Sequence, residues 1–247
     1  MRRNLRLITL GICALAPAPL KALLYRFFFG YKIGKDVKIG LSLIDARSCE
    51  ISDGVRIGHF NAVIGVKKLQ IGERARIGHL NVIRGGDEVR IGRYAEIIRM
   101  NEVNSIPEPD IVTPADPVFH LGDGSVITAG HKIDFTDRVE IGDHTILGGR
   151  HSSLWTHNRQ RTLPIKIGSY SYIGSEIRVV LGGSIPSRCI VGIGSVIVGK
   201  LSEEEHLIAG VPARAIRPLT EEDRFLIEYR TRPDLPEELQ TNMRRTT

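Results

Sequence analysis

Large aromatic rings and sulfur are scarce in this chain. Trp155 is the single tryptophan, aromatics make up 6% of the 247 residues, and there are three cysteines and three methionines. So few rings beside 26 glycines argue against a helical bundle and for a turn-rich β architecture. Cys13, Cys49 and Cys189 are odd in number and far apart. That argues against a disulfide framework and fits a reducing compartment. No apolar run reaches the length needed to span a bilayer, because Pro17 and Pro19 break the first one early. No basic run is flanked by aromatics either. The net charge of +6, from 34 Lys and Arg against 28 Asp and Glu, therefore suits phosphate-bearing ligands or an anionic membrane surface rather than nucleic acid.

The amino terminus, "MRRNLRLITLGICALAPAPLKALLYRFFFG", begins with basic residues and an apolar stretch, as a signal peptide does. The apolar stretch is short, and "LGIC" lacks the small residue that a lipoprotein signal places before Cys13. We expect two short amphipathic helices in residues 1–30, capping the domain that follows or lying on a membrane surface; a cleaved signal is the alternative.

What the chain has in quantity is a six-residue beat. Stepping by six from Ile51 gives Ile57, Val63 and Leu69; from Ile71 it gives Ile77, Ile83 and Val89. The run Ile167, Ile173, Val179, Ile185, Val191, Ile197 is the longest, and Gly repeatedly follows the aliphatic residue, as at Gly34, Gly58, Gly72 and Gly92. A period of six fits neither a helix nor a meander of alternating strands. It fits short strands joined by tight corners, where glycine would supply unusual backbone angles. Three strands make one triangular coil, and the coils stack at the ~4.8 Å spacing of paired strands. One coil buries little alone, so stability belongs to the whole stack.

Two stretches break the beat. "MNEVNSIPEPDIVTPADP", Met100 to Pro117, reads as a loop leaving a corner, since its prolines cannot donate to a strand ladder. "GGRHSSLWTHNRQRTLPIKIG", Gly148 to Gly168, is the second, and it holds two histidines and the lone tryptophan. Long loops on rigid repeat scaffolds are disproportionately functional.

The repeat Ile-Gly-x-x-(small)-x resembles that of the hexapeptide-repeat acyltransferases, of the sugar and maltose O-acetyltransferase type, over residues 33 to 217. "WTHNRQRTLPIKIG" is similar to the loop that carries their histidine, and "AGVPAR", Ala209 to Arg214, is a close form of their closing signature. The resemblance implies an all-β fold, a left-handed parallel β-helix with short terminal helices. The hand comes from the resemblance alone, because crossovers between parallel strands are normally right-handed. It divides the chain into residues 1–30 (amphipathic helices), 31–217 (the acyltransferase β-helix) and 218–247 (a C-terminal helix and tail).

Its implications for chemistry are specific. His157 would be the general base, with His151 as the competing residue. Trp155 would either plug the core or wall an acceptor pocket. Some relatives place an Asn where this chain has Thr128, so acceptor orientation would pass to Thr128 or His131. Coenzyme A would lie in a groove between subunits of a homotrimer, with Gly174 and Ser175 near the thiol and Lys200, Arg214 and Arg217 towards the nucleotide. Backbone N–H groups at glycine corners would hold the oxyanion.

The expected activity is acetyl-CoA-dependent O-acetylation of a saccharide hydroxyl, in the cytoplasm or peripherally at the inner face of a membrane, without a metal. An N-acyltransferase of an amino sugar nucleotide and a non-catalytic scaffold are the alternatives. His59 and His79, twenty residues apart in "IGHFN" and "IGHLN", should stack with Asn61 and Asn81 as structural ladders. A zinc-dependent hydratase would need a third histidine in register, where the chain has Arg93.

Overall fold

The computed structural model describes residues 3–106 and 114–228. Two helices, α1 (Arg3–Leu15) and α2 (Ala18–Phe29), precede a stack of short strands, and α3 (Glu221–Glu228) follows it. α2 ends at Gly30, whose φ of +67° lets the Gly30 and Tyr31 amides return to the carbonyls of Arg26 and Tyr25. Between the helices the chain winds through about eight turns of a left-handed parallel β-helix. The parallel β-helix is what the six-residue beat predicts, and the left hand is what the resemblance implies. The carboxyl-terminal tail, 229–247, lies outside the described residues.

Each strand pairs in parallel with its counterpart one turn on, so that Ile57, Ile77 and Ile97 form one file and Val63, Ile83 and Val103 another. The inward side chains of the first file, continued by Ile127, Leu147 and Ile173, are at most 3% exposed. Fully burying each aliphatic side chain stabilises by about 1.5–3 kcal/mol, and each finds its packing partner only on the next turn. At the amino-terminal end, Leu10 and Cys13 of α1 and Tyr25 of α2 join that core. The Tyr25 and Tyr31 hydroxyls accept from the Ile44 and Ala46 amides at 3.2 and 2.9 Å. They satisfy strand-edge donors that no preceding turn pairs. The other end closes where Ala213–Pro218 folds back antiparallel to His206–Gly210.

The glycines that follow the inward aliphatic residues have a different reason from the expected one. Gly72, Gly92 and Gly122 keep ordinary φ; a Cβ on any of them would lie 2.5–2.6 Å from atoms of the next turn. Close approach of the coils, rather than unusual backbone angles, requires them. Left-handed corners are shared between other glycines, such as Gly54, Gly124 and Gly130 with φ of +64° to +68°, as expected, and larger residues, Phe60, Leu80, Met100 and His151 among them, with φ of +55° to +61°.

A polar ladder runs up a corner beside these residues. Asn61 N donates to Ser42 Oγ, Asn81 N to Asn61 Oδ1 and Asn101 N to Asn81 Oδ1, all at 2.9–3.0 Å. His131, Ser152 and finally Ile177 continue the series, each amide donating to the preceding side chain. His59 and His79 stack as expected, with centroids 5.6 Å apart and planes 6° from parallel. Their Nδ1 atoms accept from the Leu41 and His59 amides.

Candidate active site

Strand Ser153–Trp155 pairs with Lys132–Asp134, which sets Asp134 beside Trp155. Beyond Trp155 the chain leaves the stack. Thr156 and His157 form one arm of a short hairpin and Thr162 and Leu163 the other. His157 bridges Thr162, and Leu163 N donates to Thr156 O at 2.9 Å. The tip is an Asx turn, in which Asn158 Oδ1 accepts from the Gln160 and Arg161 amides at 2.8 and 2.9 Å. The base of the hairpin is seated on two neighbours. Leu163 lies over Gly182, where a Cβ would come 3.1 Å from its Cδ1. Thr162, 3% exposed, reaches the Pro114 carbonyl of the first loop with its hydroxyl.

This hairpin brings His157 onto a carboxylate. Nδ1 of His157 is 2.9 Å from Oδ2 of Asp134, off the line of a well-aligned hydrogen bond. Asp134 is buried, and its Oδ1 accepts from the Thr136 amide at 3.0 Å and the Thr156 hydroxyl at 2.7 Å. Thr156 Oγ1 accepts in turn from Asp137 N at 3.0 Å. A carboxylate facing Nδ1 favours the tautomer with the proton there, which leaves Nε2 as the acceptor of a substrate proton. His157 is largely buried, with 19% of its side chain exposed.

Asp134 and Thr156 did not stand out in the sequence. The signal was the register: Ile133 and Leu154 are both inward-facing, so Asp134 falls beside Trp155, two residues before His157.

The other expected site residues are spread over the stack. Trp155 is 44% exposed and faces outward next to the hairpin, so it does not plug the core. His151, Gly174 and Ser175 sit at the opposite corner of the same wall; Ser175 Oγ accepts from the Arg150 amide at 3.3 Å. Lys200 is exposed and bridges Ser184 on a different wall. Arg214 lies on the closing strand. Arg217 is held by Asp223 of α3 and so is committed to docking that helix.

His131 is a correction. It is fully buried as a rung of the ladder, its Nδ1 accepting from Ser152 N at 3.1 Å and its Nε2 lying 3.0 Å from Thr128 Oγ1. Burial, and secondarily the nearby His151, lowers its pKa to about 4. It is a neutral structural group with no access to an acceptor. Thr128 is likewise engaged, its hydroxyl close to the Leu147 and Gly149 carbonyls.

Known proteins match part of the chain. It is 31% identical over 101 residues to the galactoside O-acetyltransferase of Escherichia coli, covering 37% of this chain and 48% of that one. The provisionally named acetyltransferase YJL218W of Saccharomyces cerevisiae is 27% identical over 113 residues, covering 46% and 48%. The chain resembles the hexapeptide-repeat acetyltransferases. It spans about half the length of the curated relatives it matches, and no family model matches it. Among solved structures, a hexapeptide-repeat acetyltransferase of Vibrio cholerae complexed with acetyl coenzyme A is 17% identical with a TM-score of 0.37, covering 89% of this chain and 87% of that one. LpxA of Acinetobacter baumannii is 18% identical with a TM-score of 0.47, covering 71% of each chain. Likeness at that level says nothing about activity.

Proposed function

We propose that the chain is an acyltransferase that moves an acetyl group from acetyl-CoA to a saccharide hydroxyl, with His157 as general base. The observation that carries this is the His157–Asp134 contact, set on a hairpin that interrupts an otherwise aliphatic stack. Nε2 takes the proton of the acceptor hydroxyl as its oxygen attacks the thioester carbonyl. The C–S bond then breaks, and the departing thiolate takes the proton back from Nε2. Asp134 stabilises the transient imidazolium and fixes the ring, which makes it a positioning residue.

Several features support the substrate classes. Exposed Trp155 beside the hairpin offers a flat apolar wall of the kind sugars stack on. The structure in the Vibrio complex holds acetyl coenzyme A. In this chain Lys200 and Arg214 are the basic residues of the expected set left to meet its phosphates, with Gly174 and Ser175 towards the thiol. A site completed by a neighbouring subunit of a homotrimer is part of this reading, as the family resemblance implies.

The test is a screen of saccharide and amino-sugar acceptors with acetyl-CoA, reading released thiol, for wild type, His157→Ala and Asp134→Asn. We expect kcat to fall about 10²–10⁴-fold in His157→Ala and by about 10–100-fold in Asp134→Asn. Thiol release with every acceptor at the wild-type rate in His157→Ala would end this reading. Turnover of amino sugar nucleotides alone would move it to N-acylation.

A further inference from the structure

The two amino-terminal helices are amphipathic the wrong way round for a protein surface in water. The charged side chains of Arg6, Lys21 and Arg26 reach back to the fold. Arg6 pairs with Asp45 and donates to the Ala46 carbonyl at 2.9 Å. Lys21, 4% exposed, donates to the Ala14 carbonyl at the end of α1 and to the Gly40 carbonyl on the first coil. Arg26 reaches the carbonyls of Ile33 and Gly34. What the helices turn outward is apolar: Leu5, Ile8, Ile12, Leu15, Leu23 and Phe27 are each 55–78% exposed. Contiguous apolar surface of this kind on an otherwise solvated protein marks a site of contact.

Charge identifies the occupant. Residues 1–51, the helices and first coil, hold nine Lys and Arg against three Asp and Glu, which is the entire net +6; the remaining residues hold 25 of each sign. No acidic residue occurs before Asp36. Lys32, Lys35, Lys38 and Arg47 of the first coil, against which the helices pack, are exposed. An apolar face next to such an excess of positive charge complements a bilayer whose headgroups are anionic. It does not complement a second copy of itself, since two such ends would bring like charges together. Neither helix can span: at about 1.5 Å per residue they measure roughly 18–20 Å, against a hydrocarbon core of about 30 Å, and no helix among the described residues is long and apolar enough to cross.

We infer that α1 and α2 form a docking surface that seats this end of the β-helix on an anionic lipid bilayer, with the apolar face in the interface and the first-coil lysines at the headgroups. The experiment is flotation of the full chain with vesicles of phosphatidylcholine alone and with added phosphatidylglycerol, at low and high salt. We expect binding to the anionic vesicles that is about tenfold stronger than to the neutral ones and weakened by salt. The variant Ile8→Ser/Leu23→Ser/Phe27→Ser should lose binding by about tenfold or more while its melting temperature and near-ultraviolet dichroism hold, because all three side chains are outside the core. Lys32→Gln/Lys35→Gln/Lys38→Gln should bind less and with a flatter salt dependence. Absence of flotation, or flotation unchanged in the serine variant, would overturn the inference. So would a concentration-dependent rise in mass by light scattering that the serine variant abolishes, in a wild type that does not float.

Discussion

His157 and His131 share a residue type and little else. One lies beside a carboxylate on a hairpin; the other is sealed in a backbone ladder with no partner charge. The pH behaviour of His131 follows from its environment. Its pKa falls from the ordinary 6.5 to about 4, so between those values the unfolded chain binds a proton that the folded chain refuses. Stability is therefore complete above about pH 6.5 and declines as pH falls towards 4, by roughly 3 kcal/mol in total. His131→Asn should remove most of that decline, since Asn occupies the three preceding Asn rungs in the same role. Denaturant midpoints of both proteins at neutral and acid pH would show it, and parallel curves would mean that another group titrates. His151→Ala is the companion test in catalysis: on a different corner from the hairpin, it should lower kcat far less than His157→Ala.

At the scale of elements, the hairpin and the ladder respond differently to damage. Thr156→Val removes a buried hydroxyl that donates to Asp134 and accepts from Asp137 N. It should cost about 1–3 kcal/mol and lower kcat by loosening the carboxylate; a loss of stability with kcat intact would show that Thr156 serves the fold alone. Asn81→Ala strips acceptors from Asn101 N and Nδ2. It should cost about 2–4 kcal/mol in thermal or denaturant melts, with no change in the pH dependence of activity. The stack itself was legible in the sequence because inward positions recur every six residues and nothing else fills a coil interior. His157 was legible because it interrupts that pattern. Asp134 was not, because it precedes the hairpin by a full turn. The role of His131 was hidden too: the first loop stretches the spacing of its rung from twenty residues to thirty, 101 to 131, and breaks the count.

For the molecule as a whole, a charge inside any file should be intolerable. Ile77→Asp and Val179→Asp place a carboxylate at positions 1% and 0% exposed, and each should cost several kcal/mol in a thermal melt; a wild-type melt for either would contradict the observed register. A site shared between subunits predicts a mass of three chains by light scattering and little thiol release from any monomeric fraction. The polar ladder has one more consequence. Five steps separate the Ser42 rung from the Ser152 rung, which opens the strand that leads to His157, so at ~4.8 Å per step the coils work as a ruler, with the His157 coil about 24 Å from the helical end. Because Asn61 and Asn81 are equivalent rungs, a second copy of residues 62–81 spliced after Asn81 would keep every acceptor supplied. Such a chain should fold and react as before, with its reactive histidine one graduation further from α1 and α2.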